Sequence, residues 1–195
     1  MSRRTKMALG ILGLGMILAL APVRSVTGDE MSPTIRDGDV VWVVPGLEVL
    51  RGDVVAVTDP LDPSRVVLRR AIAPGGTEVH FTDDGVRVDA KRLRIRDMGT
   101  AGAYGVYQEI LWSKPPARAV KWLTRRVRKP AVHWEAEPVE VPSGHWYPLA
   151  DDRDDALDSR WWGPVPVASI RGVVRLRYGP ADLWRTRLAM LRGAE

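Results

Sequence analysis

The sequence predicts a mainly β, antiparallel fold with one amino-terminal transmembrane helix and short amphipathic helices. Three observations lead to this prediction. Valine-rich runs alternate with turn-forming residues over most of the chain, an uncharged segment follows a basic amino terminus, and two short segments have helical spacing of apolar residues. Together they predict a β domain held at a membrane surface.

The predicted strands are short apolar runs separated by Gly, Pro and Asp. Valine favours extended backbone, whereas glycine, proline and aspartate favour turns. In chain order the runs are DVVWVV, GDVVAVTD, RVVLRRAIA, TEVHF, VRVD, HWYPLA and SIRGVVRLRY. We expect them to form one β domain over residues 25–180.

The amino terminus has the features of a signal anchor. Arg3, Arg4 and Lys6 precede an uncharged run from Met7 to Val23. That run is close to the minimum of about 17 residues that can cross a bilayer. Because basic flanks stay in the cytoplasm, we predict a single span within residues 1–24, with the remaining chain on the outer side.

A cleaved signal peptide is the alternative interpretation of this segment. The sequence ALA at residues 19–21 mimics a cleavage site. Pro22 follows it directly and is unfavourable just after a scissile bond. We therefore expect the anchor to be retained.

Two further segments carry helical spacing. Residues 98–135 interrupt the strand pattern with a basic excursion, in which Val120, Leu123 and Val127 are spaced as on one helix face. This excursion is either an amphipathic helix on anionic lipid or a solvated extension of the sheet. The tail, residues 181–195, predicts another amphipathic helix that is too short to cross a membrane.

Composition excludes several classes of site. The chain of 195 residues has a net charge of +5 and no cysteine, which excludes disulfides, thiol nucleophiles and cysteine-based metal sites. The three histidines, His80, His133 and His145, lack metal-ligand spacing. The basic charge is not accompanied by a nucleic-acid motif, so lipid is the expected anionic partner, and no metal or cofactor is predicted.

Three blocks of sequence carry a recognisable pattern. They are GDEMSPTIRDGD, RGDVVAVTDP with RVVLRRAIAPGG, and VPSGHWYPLADDRDDALDSRWWG. In this order behind an anchor, they resemble type I signal peptidases, membrane serine proteases of mainly β fold with a serine–lysine dyad. The resemblance covers about residues 23–178, and the third block is its most specific part. It implies a signal-peptidase-like β domain outside the bacterial cytoplasmic membrane.

The residues at the family's catalytic positions are substituted. The resemblance places Glu30 at the nucleophilic serine, Arg69 at the general-base lysine and Ala156 at the serine that orients the lysine. A buried lysine can become neutral near pH 7, but an arginine guanidinium stays protonated. If the fold is retained, we expect Glu30 and Arg69 to form a charge-assisted pair with one or two hydrogen bonds.

The remaining motif residues are expected to shape the site. The resemblance assigns the frame of the peptide cleft to five residues, Gly28, Asp29, Met31, Pro33 and Thr34. It assigns structural roles to a second set, Asp151, Arg153, Asp158, Ser159 and Arg160. Within that set, Asp158 and Arg160 are spaced to form an ion pair.

Three functions remain open from the sequence. The first is a catalytically silent relative that binds or presents secreted precursor peptides. The second is an active signal peptidase with an atypical site, in which a nearby serine such as Ser25, Ser32 or Ser159 acts as the nucleophile. The third is a subunit of a membrane complex, in which Arg125, Arg126 and Arg128 bind lipid.

Overall fold

The structure is a computed structural model that describes residues 23–82, 85–112, 119–127, 136–179 and 189–190. These ranges form a mainly β architecture, as the sequence predicts. Helix α1 spans Ser159–Trp162, and a 3₁₀ helix spans Val167–Ser169. The strands are β1 (Val23–Ser25), β2 (Val40–Val44), β3 (Val54–Thr58), β4 (Val66–Pro74), β5 (Glu78–Thr82), β6 (Gly85–Val88), β7 (Lys91–Arg92), β8 (Arg94–Ala101), β9 (Tyr104–Trp112), β10 (Ala119–Val127), β11 (Val139–Glu140), β12 (His145–Leu149), β13 (Val165–Pro166), β14 (Ile170–Tyr178) and β15 (Ala189–Met190).

Three sheets are present in the described part of the chain. The largest has the order β1-β2-β14-β3-β4-β12-β13, with β15 paired to β14. A four-stranded sheet has the order β11-β5-β6-β7, and a three-stranded sheet has the order β10-β9-β8. All of their strand pairs are antiparallel. Each predicted run overlaps one of these strands.

Strand β3 lies at the centre of the largest sheet and is buried on both faces. Val54 and Ala56 belong to one apolar cluster, whereas Val55 and Val57 belong to another on the opposite face. This arrangement follows from the sequence VVAV, which is apolar at both the odd and the even positions of the strand. A third apolar cluster lies between the sheets and includes Phe81, Trp122 and Tyr147.

The basic excursion is a strand rather than a helix. Residues Ala119–Val127 pair with β9 along their whole length. Burial there alternates, since Trp122 and Thr124 are buried while Lys121 is exposed. Of the two interpretations left open by the sequence, the amphipathic helix is therefore wrong for residues 119–127, and an extension of the sheet agrees with the structure. The inward face of β10 carries polar side chains, and these obscure the two-residue period in the sequence.

The two ends of the β domain also differ from the sequence prediction. Val23 and Arg24 pair with Trp42 and Val41, so the sheet begins two residues before the predicted boundary at residue 25. Apart from these two residues, the predicted anchor lies outside the described residues. The described residues include no helix of the length and apolar character needed to cross a membrane.

The predicted carboxyl-terminal helix is contradicted at two positions. Ala189 and Met190 form a strand whose backbone pairs with Arg177 and Leu176 of β14. The edge of β14 that faces away from β2 therefore determines the local conformation more strongly than helical spacing does. The remaining residues of that predicted helix lie outside the described ranges.

A glycine substitution tests the packing of β10 against the turn before β3. Gly52 has a φ of +85°, and an added Cβ would lie 2.2 Å from Cγ1 of Val120. We expect Gly52→Ala to lower the free energy of unfolding by about 1–3 kcal/mol beyond the cost of its backbone conformation. Chemical denaturation of the full-length protein in detergent measures this difference.

Gly46→Ala is the matched control, because Gly46 has a φ of +72° with open space around the added Cβ. It should lose only about 1 kcal/mol, which is the cost of a side chain in the left-handed region. Equal losses for the two variants would contradict the packing of Val120 on this turn.

Candidate functional site

Glu30 lies in the turn-rich connection between β1 and β2. Its neighbour Met31 and the nearby Ile35 are buried in an apolar cluster, which anchors this connection to the sheet. Gly28 has a φ of +91°, and its amide donates a 2.8 Å hydrogen bond to the Asp37 carboxylate. The Glu30 carbonyl accepts a hydrogen bond from the Asp152 amide at 3.0 Å. The Glu30 carbonyl and the backbone two residues before it are therefore both held by hydrogen bonds.

Asp29 and Ser32 stabilise the same connection. The Ser32 hydroxyl donates to Asp29 Oδ1 at 2.8 Å, and the Asp37 amide donates to the same oxygen at 3.2 Å. These two hydrogen bonds lower the pKa of the Asp29 carboxyl below its ordinary value. A carboxylate with a lowered pKa is a weak base, so this contact is suited to holding the turn rather than to activating Ser32.

Arg69 projects from β4 and is almost completely buried. Its side chain is 1% exposed, and its Nη1 donates to Glu30 Oε2 at 2.8 Å. The Nη1 atom also donates to the Leu68 carbonyl at 2.6 Å, while Nε and Nη2 donate to the Leu157 carbonyl at 3.0 and 2.5 Å. The predicted Glu30–Arg69 contact is thus confirmed.

The pair has one hydrogen bond between its charged groups rather than two. The Nε edge of Arg69 is occupied by the Leu157 carbonyl, which prevents a two-bond contact with Glu30. The guanidinium also lies over the Trp162 ring, with its Cζ atom 5.5 Å from the ring centroid. Arg69 is consequently surrounded by acceptors and an aromatic face.

Ala156 is buried in the loop that covers Arg69. It directly precedes Leu157, the residue whose carbonyl accepts two hydrogen bonds from the guanidinium. A methyl side chain at this position offers no hydrogen bond of its own. The loop therefore binds Arg69 through its backbone.

Arg70, the next residue of β4, holds the same loop from its other end. It donates to both carboxylate oxygens of Asp151 and to the Gly52 carbonyl. The Thr34 hydroxyl donates to Asp151 Oδ2 at 2.6 Å, which ties the first motif to the third. Pro33 lies between Ser32 and Thr34 in this connection. Arg70 was not among the residues selected from the sequence. A charge inside an apolar run nevertheless indicates a buried side chain that needs an oppositely charged partner.

Asp158 fixes the far end of the loop. It accepts from the Ala150 amide and from the Arg160 amide, and it forms the predicted ion pair with Arg160 at 2.8 Å. It also provides the N-cap of helix α1. Ser159, the first residue of that helix, is buried, and its hydroxyl has no hydrogen-bond partner within the described ranges.

Glu109 is a buried carboxylate that sequence analysis did not select. It binds Arg153 at 2.5 Å, Arg126 at 2.7 Å and Trp122 Nε1 at 3.0 Å. Burial would raise the pKa of Glu109, but Arg153 and Arg126 outweigh that effect and lower the pKa to about 2. The signal in the sequence was a charged residue two positions before Leu111, which places both side chains on the inward face of β9.

Two arginines predicted to contact lipid instead form internal ion pairs. Arg125 binds Asp152 at 2.6 Å and Arg126 binds Glu109 at 2.7 Å. The Arg125–Asp152 pair joins the three-stranded sheet to the loop of the third motif, whereas the Arg126–Glu109 pair lies within that sheet. The third member of that prediction, Arg128, lies outside the described residues.

Glu30 also lines a groove of about 100 Å³. One wall is β1 with the residues that follow it, and the other wall is the start of β4. Within the described chain β1 pairs only with β2, and β12 pairs with β4 only from Arg70 onward. The backbone edges of β1 and of residues 66–69 are therefore open to an extended ligand. The described residues include no cluster of three side chains suited to holding a metal ion.

Comparison with known proteins identifies the family. The model of the signal peptidase family, peptidase S26, matches residues 2–179. Signal peptidase I of Streptococcus pneumoniae is 26% identical over 192 residues, covering 88% of each chain. Thylakoidal processing peptidase 1 of Arabidopsis thaliana is 43% identical over 176 residues, covering 83% of this chain and 43% of that protein. The chain belongs to the signal peptidase family.

Other relatives are longer than this chain, and one signal peptidase I has a solved structure. The chain spans 55% of the Pseudomonas aeruginosa signal peptidase I, to which it is 25% identical over 166 residues. It spans 39% of the Pseudomonas fluorescens enzyme. A crystal structure of a signal peptidase I from Enterococcus faecalis aligns with a TM-score of 0.41 at 20% identity, over 65% of this chain and 97% of that one.

The Glu109 cluster predicts a pH-dependent contribution to stability. The folded pKa of about 2 lies below the ordinary value of 4.5, so this contribution is present above pH 4.5 and is lost as the pH falls toward 2. Over that window the unmodified protein should lose about 3 kcal/mol of unfolding free energy because of Glu109, and the Glu109→Gln variant should not show this part of the loss. Denaturation curves from pH 7 to pH 2 measure it.

The matched control is Glu140→Gln, which removes an exposed carboxylate of β11. Its pH profile should follow that of the unmodified protein. A Glu109→Gln profile as steep as the control profile would contradict the role assigned to Arg153 and Arg126.

Proposed function

We propose that this protein is a membrane-anchored signal peptidase relative that holds precursor peptides in its groove without cutting them. The observation that carries the proposal is the ion pair between Glu30 and the buried Arg69. It occupies the positions at which the family resemblance puts the serine–lysine dyad. The scaffold is that of a serine-type signal peptidase, and the missing part is its reactive pair.

The chemistry of both side chains opposes amide hydrolysis. A catalytic serine attacks the carbonyl as an alkoxide and leaves as an alcohol, whereas a carboxylate would have to form an anhydride. A general base must release and accept a proton near neutral pH, and a guanidinium keeps its proton there.

None of the three candidate serines, Ser25, Ser32 and Ser159, has a suitable base within the described ranges. Ser32 donates to Asp29, whose pKa is lowered, and the Ser159 hydroxyl is buried without a partner. Ser25 lines the groove but has no hydrogen bond to a lysine or histidine in the described chain. These arrangements argue against a relocated nucleophile.

The groove remains suited to binding an extended peptide. Two open strand edges face it, and an added peptide strand could form backbone hydrogen bonds with either edge. Val26, Met31, Val41 and Leu68 supply an apolar surface for small side chains. This combination supports retention of peptide binding after loss of the reaction.

The proposal includes a location and partners. A retained anchor would place the domain on the outer face of the bacterial cytoplasmic membrane, with the amino terminus in the cytoplasm. There the groove would meet secreted precursors, and membrane lipid or a membrane complex would provide further contacts. The alternative is an active signal peptidase, the activity that the names of the curated relatives state.

Restoring the dyad tests this proposal. We expect purified full-length protein to leave a secreted precursor intact, while the variant Glu30→Ser, Arg69→Lys, Ala156→Ser cleaves it on the order of a thousandfold faster or more. The introduced lysine would occupy a buried position, where its pKa falls toward neutrality. Gel analysis of a labelled precursor in detergent measures the rates.

The variant Glu30→Ala, Arg69→Lys, Ala156→Ser differs from the restored one only in the nucleophile and should be inactive. Cleavage by the unmodified protein would overturn the silent assignment. The peptide-holding role is wrong if both the unmodified protein and the restored variant fail to cleave the precursor and also fail to retain it in a pull-down.

A further inference from the structure

The groove beside Glu30 has an arginine on each wall. Arg24 belongs to β1, and Arg65 directly precedes β4 on the opposite wall. The apolar residues between them are Val26, Met31, Val41 and Leu68. This surface therefore combines an apolar floor with two positively charged rims.

Arg24 is directed to the groove by its strand pairing. Its Cα partner is Val41, and directly opposed residues of an antiparallel pair share one face of the sheet. Val41 is a buried groove residue, so Arg24 lies on the groove side. The residue is exposed and forms no ion pair with any residue in the described ranges.

Arg65 is held by the loop that connects β3 and β4. Its backbone carbonyl accepts from the Asp59 amide at 3.0 Å, and its amide donates to the Asp62 carbonyl at 2.9 Å. The side chain is 61% exposed, and Nη1 lies 3.8 Å from Asp59 Oδ2. The backbone is fixed, but the guanidinium keeps most of its donors available to a ligand.

The charge balance of the groove is positive. The Glu30 carboxylate is balanced by Arg69, which donates to it at 2.8 Å. Arg24 has no carboxylate partner among the described residues. Arg65 has the Asp59 carboxylate as a partner, but the two groups are 3.8 Å apart and form only a loose contact. An anionic side chain on a bound peptide would therefore gain from both rims.

We propose that the groove selects extended peptides that carry aspartate or glutamate at every second position. These carboxylates bind Arg24 and Arg65 at the two rims, while the side chains between them face the apolar floor. Alternation follows from the geometry of a strand, in which successive side chains point to opposite sides. This inference rests on the proposed peptide-holding function and specifies the peptide class.

Two matched peptides test the selection. Both are fluorescent and extended, with alanines separated by glutamate in one and by glutamine in the other. We expect full-length protein in detergent to bind the glutamate peptide about three- to tenfold more tightly at low salt, as expected for one or two solvent-exposed ion pairs. Raising the salt to about 0.5 M should remove most of this preference.

The variant Arg24→Gln, Arg65→Gln should bind both peptides equally and melt at an unchanged temperature. Arg96→Gln is the control, because Arg96 is exposed on β8 and does not line the groove. It should keep the preference. A preference retained by the double variant would overturn the assignment of Arg24 and Arg65.

The remaining outcomes separate this inference from the proposed function. Equal binding of both peptides by the unmodified protein would overturn the acidic preference and leave peptide holding intact. Binding of neither peptide would overturn both. Equal peptide binding combined with weaker binding of the double variant to phosphatidylglycerol vesicles would assign the two arginines to lipid headgroups instead.

Discussion

The buried guanidinium of Arg69 is the constraint around which the site is organised. A charge removed from water requires a counter-charge and enough hydrogen-bond acceptors. Glu30 provides the charge, and the Leu68 and Leu157 carbonyls provide the other acceptors. The turn after β1 and the loop before α1 are therefore both held against β4.

Strand β4 carries two such charges in succession. Arg69 and Arg70 are 1% and 3% exposed, and neighbouring side chains of a strand point to opposite faces. Arg69 consequently binds Glu30, whereas Arg70 binds Asp151. The second pair, together with Thr34 and Asp158, keeps the family frame in place. The buried pair of Glu30 and Arg69 is thus compatible with a retained scaffold.

The strands could be predicted because they depend on short-range patterns, since valine-rich runs favour extended backbone. The contact between Glu30 and Arg69 joins residues 39 positions apart, and it was expected only because the resemblance to signal peptidases implies it. The conformation of residues 119–127 could not be predicted in this way, because Thr124 and Arg126 interrupt the apolar alternation of β10. Arg126 is accommodated by Glu109, which lies 17 residues earlier in the chain. Contacts of this kind depend on tertiary structure rather than on local spacing.

The most direct test of the central claim is the rate of precursor cleavage by unmodified protein in excess over substrate, measured between about pH 6 and pH 10. The Glu30–Arg69 pair contains no group that can act as both nucleophile and base over this range. We therefore predict no cleavage above the protein-free rate at any pH. Cleavage that rises with pH and disappears in the Glu30→Gln variant would contradict the account, because it would show that the pair itself is reactive.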